Sequence, residues 1–245
     1  TSITKTGFAW DGTTPENKFC FTRAKKQTQP DPDAGLTEEQ KDFRVFEKDR
    51  STQLQKISNE SQQLTETTIE TLALRLGVAR NSEREDIGNK LVGRVVSDDV
   101  SSIIKDQVFT FITYGTETSI PLGAGERAGV VNSFQEAYGY LPRLASDWEE
   151  VLKIANGRWP SKRSLSREVD AMERFERIYL RAADREKSFD DAAVIIMAYG
   201  LRIGDRNFDS EKQASDIFED IFDYAPSSAT DWDMVRAIAY SGATR

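Results

Sequence analysis

The sequence predicts a mainly α fold of the α+β kind, with tandem helical-hairpin repeats, one long helix and a small antiparallel β element. Three observations predict it. Paired aromatic residues recur three times in the C-terminal half; the stretch from Glu38 to Leu76 contains no Gly or Pro and carries apolar residues at helical spacing; and β-prone runs lie at 2–22 and 107–115. Two regions follow. Residues 1–125 hold an extended segment, the long helix and a strand, and residues 126–245 hold three hairpins at about 126–160, 166–202 and 209–245.

In chain order, Ile3, Phe8 and Trp10 lie on a strand pattern, Asp11-Gly12 signals a turn, and Phe19 and Phe21 belong to a second β-prone run. Prolines 30 and 32 mark a linker. Thr37 and Gln40 fit a capping box that opens the long helix. Its apolar residues, among them Phe43, Phe46, Leu54, Ile57 and Leu64, trace a narrow stripe along roughly 57 Å if the helix runs unbroken to Leu76. A helix this polar needs a partner along the stripe, within the chain or from another copy. A break near Ser58 to Ser61 would divide it. Asn81 or Ser82 caps a further helix bearing Ile87, Leu91 and Val95. The run Val108 to Tyr114 is β-branched and aromatic, and reads as a strand that pairs with the N-terminal ones.

The hairpins rest on internal repetition. Phe134 and Tyr138, Phe175 and Tyr179, and Phe218 and Phe222 are ring pairs four residues apart, at offsets of 41 and 43 residues (134 to 175 to 218). The first and third copies continue through Pro142, Asp147, Trp148 and Pro226, Asp231, Trp232. Apolar triplets follow, Val151, Ile154, Ala155 and Val235, Ile238, Ala239, with Val194, Met197, Ala198 in the middle copy. That copy has Asp191 in place of Trp and a loop two residues longer. The linkers match too, Arg163 to Glu168 leading to Phe175 as Arg206 to Glu211 leads to Phe218. Each hairpin offers one apolar side, and stacking buries it.

Composition narrows the chemistry. A net charge of −8 argues against a nucleic-acid partner, which requires a basic surface. No apolar run reaches the roughly 18 residues of a membrane span. Cys20 is the one cysteine, so no intrachain disulfide forms. With no His in the chain, His-based triads and His-containing metal sites are excluded, and acid–base work would fall to carboxylates, Lys or Tyr. The start at Thr1 without Met suggests removal of an upstream segment, consistent with an extracellular or cell-surface location.

Candidate sites are few. Asp147-Trp148 and Asp231-Trp232 read either as a carboxylate beside a stacking ring, for glycan or partner binding, or as a helix cap beside a core ring. The cap explains more. Asp205, Asn207, Asp209 and Asp216 have the outline of a calcium loop, but Ser210 stands where the sharp turn needs Gly, so a capped linker is the better account and no cofactor is expected. Ile3, Phe8, Trp10, Phe19 and Phe21 form a candidate assembly segment.

The repeat resembles S-layer homology modules, helical hairpins of bacterial surface proteins, at Trp148 and Trp232 opening a helix, at the tails Ile154, Ala155, Gly157 and Ile238, Ala239, Gly242, and at Ser166 to Glu168 echoed by Asp209 to Glu211. The resemblance implies anchoring to an anionic cell-wall polymer. Taken together, the chain is expected to be a non-enzymatic extracellular structural subunit that forms homo-oligomers as a surface layer or filament. The second expectation is a module that binds cell-wall polysaccharide or a partner protein.

Overall fold

In the computed structural model the described residues are 8–10, 21–23, 37–66, 76–77, 79–119, 121–204 and 206–245. The fold is mainly helical. The chain divides into two compact units, Thr1–Ser51 and Thr52–Arg245. In the first, β1 (Phe8–Trp10) pairs antiparallel with β2 (Phe21–Arg23), placing Phe8 opposite Arg23 and Trp10 opposite Phe21.

Nine helices follow among the described residues: α1 Glu38–Glu66, α2 Ser82–Val95, α3 Ser102–Tyr114, α4 Ala124–Tyr138, α5 Ala145–Ala155, α6 Leu165–Tyr179, α7 Ser188–Tyr199, α8 Phe208–Phe222 and α9 Ala229–Tyr240. Helix α1 passes through 58–61 unbroken. In the second unit it buries Ile57 and Leu64, and Glu60 accepts from the Thr118 N–H at 2.9 Å and the Thr118 hydroxyl at 2.6 Å.

The small antiparallel sheet expected to close the first half, with the run at 107–115 pairing to the N-terminal strands, is not seen, because that run is helical. Within α3, Val108, Thr110, Phe111, Ile112, Thr113 and Tyr114 are all buried. A helix surrounded by protein has no polar face, so its sequence loses the 3.6-residue period and looks like a buried strand. Gly115 ends it at φ 73°, a left-handed angle that suits glycine. Helices α2 and α3 also approach closely. A Cβ at Gly88 would stand 2.0 Å from Thr113 Oγ1.

From α4 onward the helices fall into pairs of 15 and 11, 15 and 12, and 15 and 12 residues. The expected ring pairs lie one turn apart on their helices, with centroids at 4.6, 4.4 and 4.5 Å. Phe134, Phe175 and Phe218 are each fully buried. Helix α9 packs on α7 and α8, α6 on α7, and α4 touches α5, α7 and α9. The caps of α6 and α8 are Ser164 and Asn207. At the second helix of the outer pairs, Leu144 and Ser228 are the caps. Asp147 and Asp231 reach back from the first turn to their backbone N–H groups at 3.1 and 2.8 Å.

Candidate functional site

Three copies of one polar arrangement stand out among the described residues. An Arg just ahead of a helix forks onto a Glu in its first turns, five residues later: Arg80 to Glu85 at 2.6 and 2.8 Å, and Arg163 to Glu168 at 2.5 and 2.6 Å. Arg206 meets Glu211 in the same way, with Nε to Oε1 at 2.8 Å. A Tyr ending the next helix donates its hydroxyl to the same Glu: Tyr114 at 2.5 Å, Tyr199 at 2.7 Å and Tyr240 at 2.6 Å. The Tyr oxygen in turn accepts the cap residue's N–H in two of the sets, from Ser164 at 2.6 Å and Asn207 at 2.9 Å. Each set ties the start of one helix to the end of its partner.

These carboxyls are poor acid–base groups. The Arg80 and Tyr114 hydrogen bonds hold Glu85 down to about 2. Burial alone would raise Glu168, but Arg163 and Tyr199 outweigh it and bring the group to about 2. Arg206 lowers Glu211 in the same sense. Burial pushes the Tyr199 phenol up to about 12. At neutral pH each Glu is ionised and each Tyr protonated, as the hydrogen bonds require.

Asp147 and Asp231 do comparable work at the second helix of their pairs. Tyr140 donates to Asp147 at 3.0 Å and Tyr224 to Asp231 at 3.2 Å. In the middle pair Arg181 takes the place of the Tyr, forking onto Asp190 at 2.5 and 2.7 Å and holding it at about 2.

A cleft of about 710 Å³ opens within the second unit between α2, α4, the segment after α7 and the start of α9. Arg94, Arg202, Arg206, Arg236, Glu126 and Trp232 supply its charge and its ring. Glu126 Oε2 lies 2.8 Å from Arg202 Nε and 2.9 Å from Arg236 Nη2, with Arg206 Nη1 3.6 Å from Oε1. The Arg202 Nε contact is a close ion pair without hydrogen-bond alignment. Behind this floor Asp233 meets Arg202 at 3.2 Å and Arg236 at 2.8 Å. Burial pushes Asp233 up and Arg202 down, while their mutual attraction opposes both shifts. Gly129 is a spatial requirement here, because a Cβ would stand 2.6 Å from Arg202 Nη2.

The sequence-derived candidates disperse. Trp148 is fully buried, with its indole N–H on Gln107 Oε1 at 3.2 Å and its ring 5.4 Å from Phe111, so no ligand reaches it. Trp232 is 41% exposed and lines the cleft. Asn207 spends its side-chain oxygen on the Ser210 N–H at 3.0 Å, Asp209 lies in the first turn of α8, and Asp216 is exposed further along it. Asp205 lies outside the described residues. Among the described residues no group of three or more acidic or sulfur ligands gathers for a metal. Phe8, Trp10 and Phe21 fall in β1 and β2, while Ile3 and Phe19 lie outside the described residues. The arginines of the cleft and the set at Arg80 were missed. A signal existed, since Arg80 to Glu85 has the spacing of Arg163 to Glu168, with a Tyr 29 residues on at Tyr114. No helix among the described residues is long and apolar enough to cross a membrane.

Comparison with protein-family models, with curated proteins and with solved structures finds no match to this chain.

Proposed function

We propose that the chain is a non-enzymatic extracellular structural subunit built of tandem helical hairpins that self-assembles into a surface layer or filament. The observation that carries this reading is a repeated exposure. Leu165 and Phe208 occupy the first position of α6 and of α8 and are 78% and 72% exposed. Covering a side chain of this kind is worth about 1.5–3 kcal/mol, so two at matching places in successive hairpins give a second copy of the chain something regular to bury. The carboxylates tied up in Arg–Glu–Tyr sets support a structural role for the chain's polar groups.

Light scattering on the purified chain tests this. Multimers are expected, and the double variant Leu165→Ser/Phe208→Ser should shift them toward monomer. A chain that stays monomeric at about 100 μM has no assembly of the required strength, and the reading then fails.

A second reading, a module that binds or anchors to cell-wall glycan or a partner protein, is favoured by one specific observation, the arginine-lined cleft with Trp232 on its wall.

A further inference from the structure

Trp148 and Trp232 hold the same repeat position and have opposite surroundings. The first commits its ring to Phe111 and its N–H to Gln107. The second is 41% exposed, stacks on no other ring, and its indole N–H donates to no protein atom among the described residues. Across the same cleft, exposed Arg94 makes no ion pair or hydrogen bond among the described residues. An indole and a guanidinium without partners among the described residues therefore share one concavity, above a floor where Arg202, Arg206 and Arg236 already converge on Glu126. A cleft of about 710 Å³ is within the size range of small-ligand sites.

We propose that this cleft binds a compact anionic sugar, with its ring on Trp232 and its oxyanion on Arg94 at the edge of the arginine cluster. The proposal rests on the binding-module reading and is independent of assembly. Ring and charge each answer one of the two free groups: a pyranose face suits an indole, and a phosphate or carboxylate suits a guanidinium. Compactness follows from the rest of the surface. The chain carries a net charge of −8, and charge is screened beyond about 8 Å at physiological salt. One anionic group held against the arginines gains their attraction, whereas a long polyanion would extend past that screening length along a chain of net negative charge.

Calorimetric titration of the full chain with glucose 6-phosphate, glucuronate, inorganic phosphate and glucose tests this. At least one anionic sugar should bind saturably with Kd below about 1 mM, and glucose about tenfold more weakly or worse. Arg94→Ala and Trp232→Ala should each weaken that binding about tenfold or more, with melting temperature and helicity unchanged. Binding of glucose 6-phosphate alone makes the anion a phosphate ester, and of glucuronate alone a carboxylate. If inorganic phosphate binds as tightly as the sugar phosphate, the ring plays no part and the proposal is overturned. Glucose binding that equals the anionic sugars and is lost in Trp232→Ala overturns the anionic preference while leaving a glycan module standing. No saturable binding by any probe at about 10 mM, or binding indifferent to both variants, overturns the site itself.

Discussion

At Tyr199 one hydroxyl accepts the Ser164 N–H at 2.6 Å and donates to Glu168 at 2.7 Å. Tyr199→Phe removes both bonds and leaves a cap N–H and a buried carboxylate short of partners, at a cost of about 1–3 kcal/mol in urea unfolding. The same residue bears on pH. Because Glu168 falls from an ordinary 4.5 to about 2 in the folded chain, its contribution to stability is fully present above pH 4.5 and is lost as pH falls toward 2. In Tyr199→Phe the carboxyl loses one of the groups that lower it, so the acid-unfolding midpoint should move to higher pH. A midpoint that stays in place would mean that Arg163 and Arg185 set the carboxyl without the phenol.

Helix ends carry the next set of consequences. Gly139, Leu180 and Asp223 end the first helix of the three pairs at φ 79°, 57° and 63°, the left-handed region where a side chain is strained. Leu180 is largely exposed, so Leu180→Gly removes strain while losing little burial and should stabilise by about 1 kcal/mol or less. Gly200→Ala should do the reverse, by about 1–3 kcal/mol in the same unfolding assay, since a Cβ there would stand 2.4 Å from Ser133 Oγ at φ 66°. Gly88→Ala is the sterner case. Alanine is the better helix former by about 1 kcal/mol, yet the close approach to Thr113 should reverse the sign. The helices from α4 to α9 were legible because ring pairs and apolar triplets recur in them at fixed offsets, and at α8 and α9 a polar cap, Asn207 and Ser228, marks the start. Helix α3 was not, because burial of its second half, from Gln107 to Tyr114, erased the period there and its β-branched residues spoke for a strand. The cleft was illegible for another reason. Arg94, Glu126, Arg202 and Arg236 come from separate elements, and no local spacing announces that they will meet.

For the whole molecule, the division at Ser51 and Thr52 has a practical reading. A fragment of residues 52–245 retains the buried core from Ile57 to Ala237 and should show one cooperative, strongly helical transition by circular dichroism. Comparing its mass in solution with that of the full chain locates assembly. Multimers from both place the contact on the helical pairs, and multimers from the full chain alone place it in residues 1–51. The repeated aromatic pattern was readable because it is written at fixed offsets. The Arg–Glu–Tyr sets share that regularity, and the copy at Arg80, Glu85 and Tyr114 extends it to the α2–α3 pair, ahead of the three hairpins expected from sequence.

Fastening α6 to α7 and α8 to α9 at the open end lets the connection at the other end vary in length. The connections 180–187 and 223–228 are eight and six residues long, yet the flanking helices have the same lengths, 15 and 12 residues, in both pairs. With Glu168 and Tyr199 fastening the base, the connection 180–187 holds two extra residues while α6 and α7 stay paired, and its Arg185 adds a bond to Glu168 at 3.2 Å. A hairpin closed in this manner behaves as a ring whose far arc is adjustable. Those arcs are where evolution or an engineer could splice in a new segment, and where a cut would leave both halves still clasped.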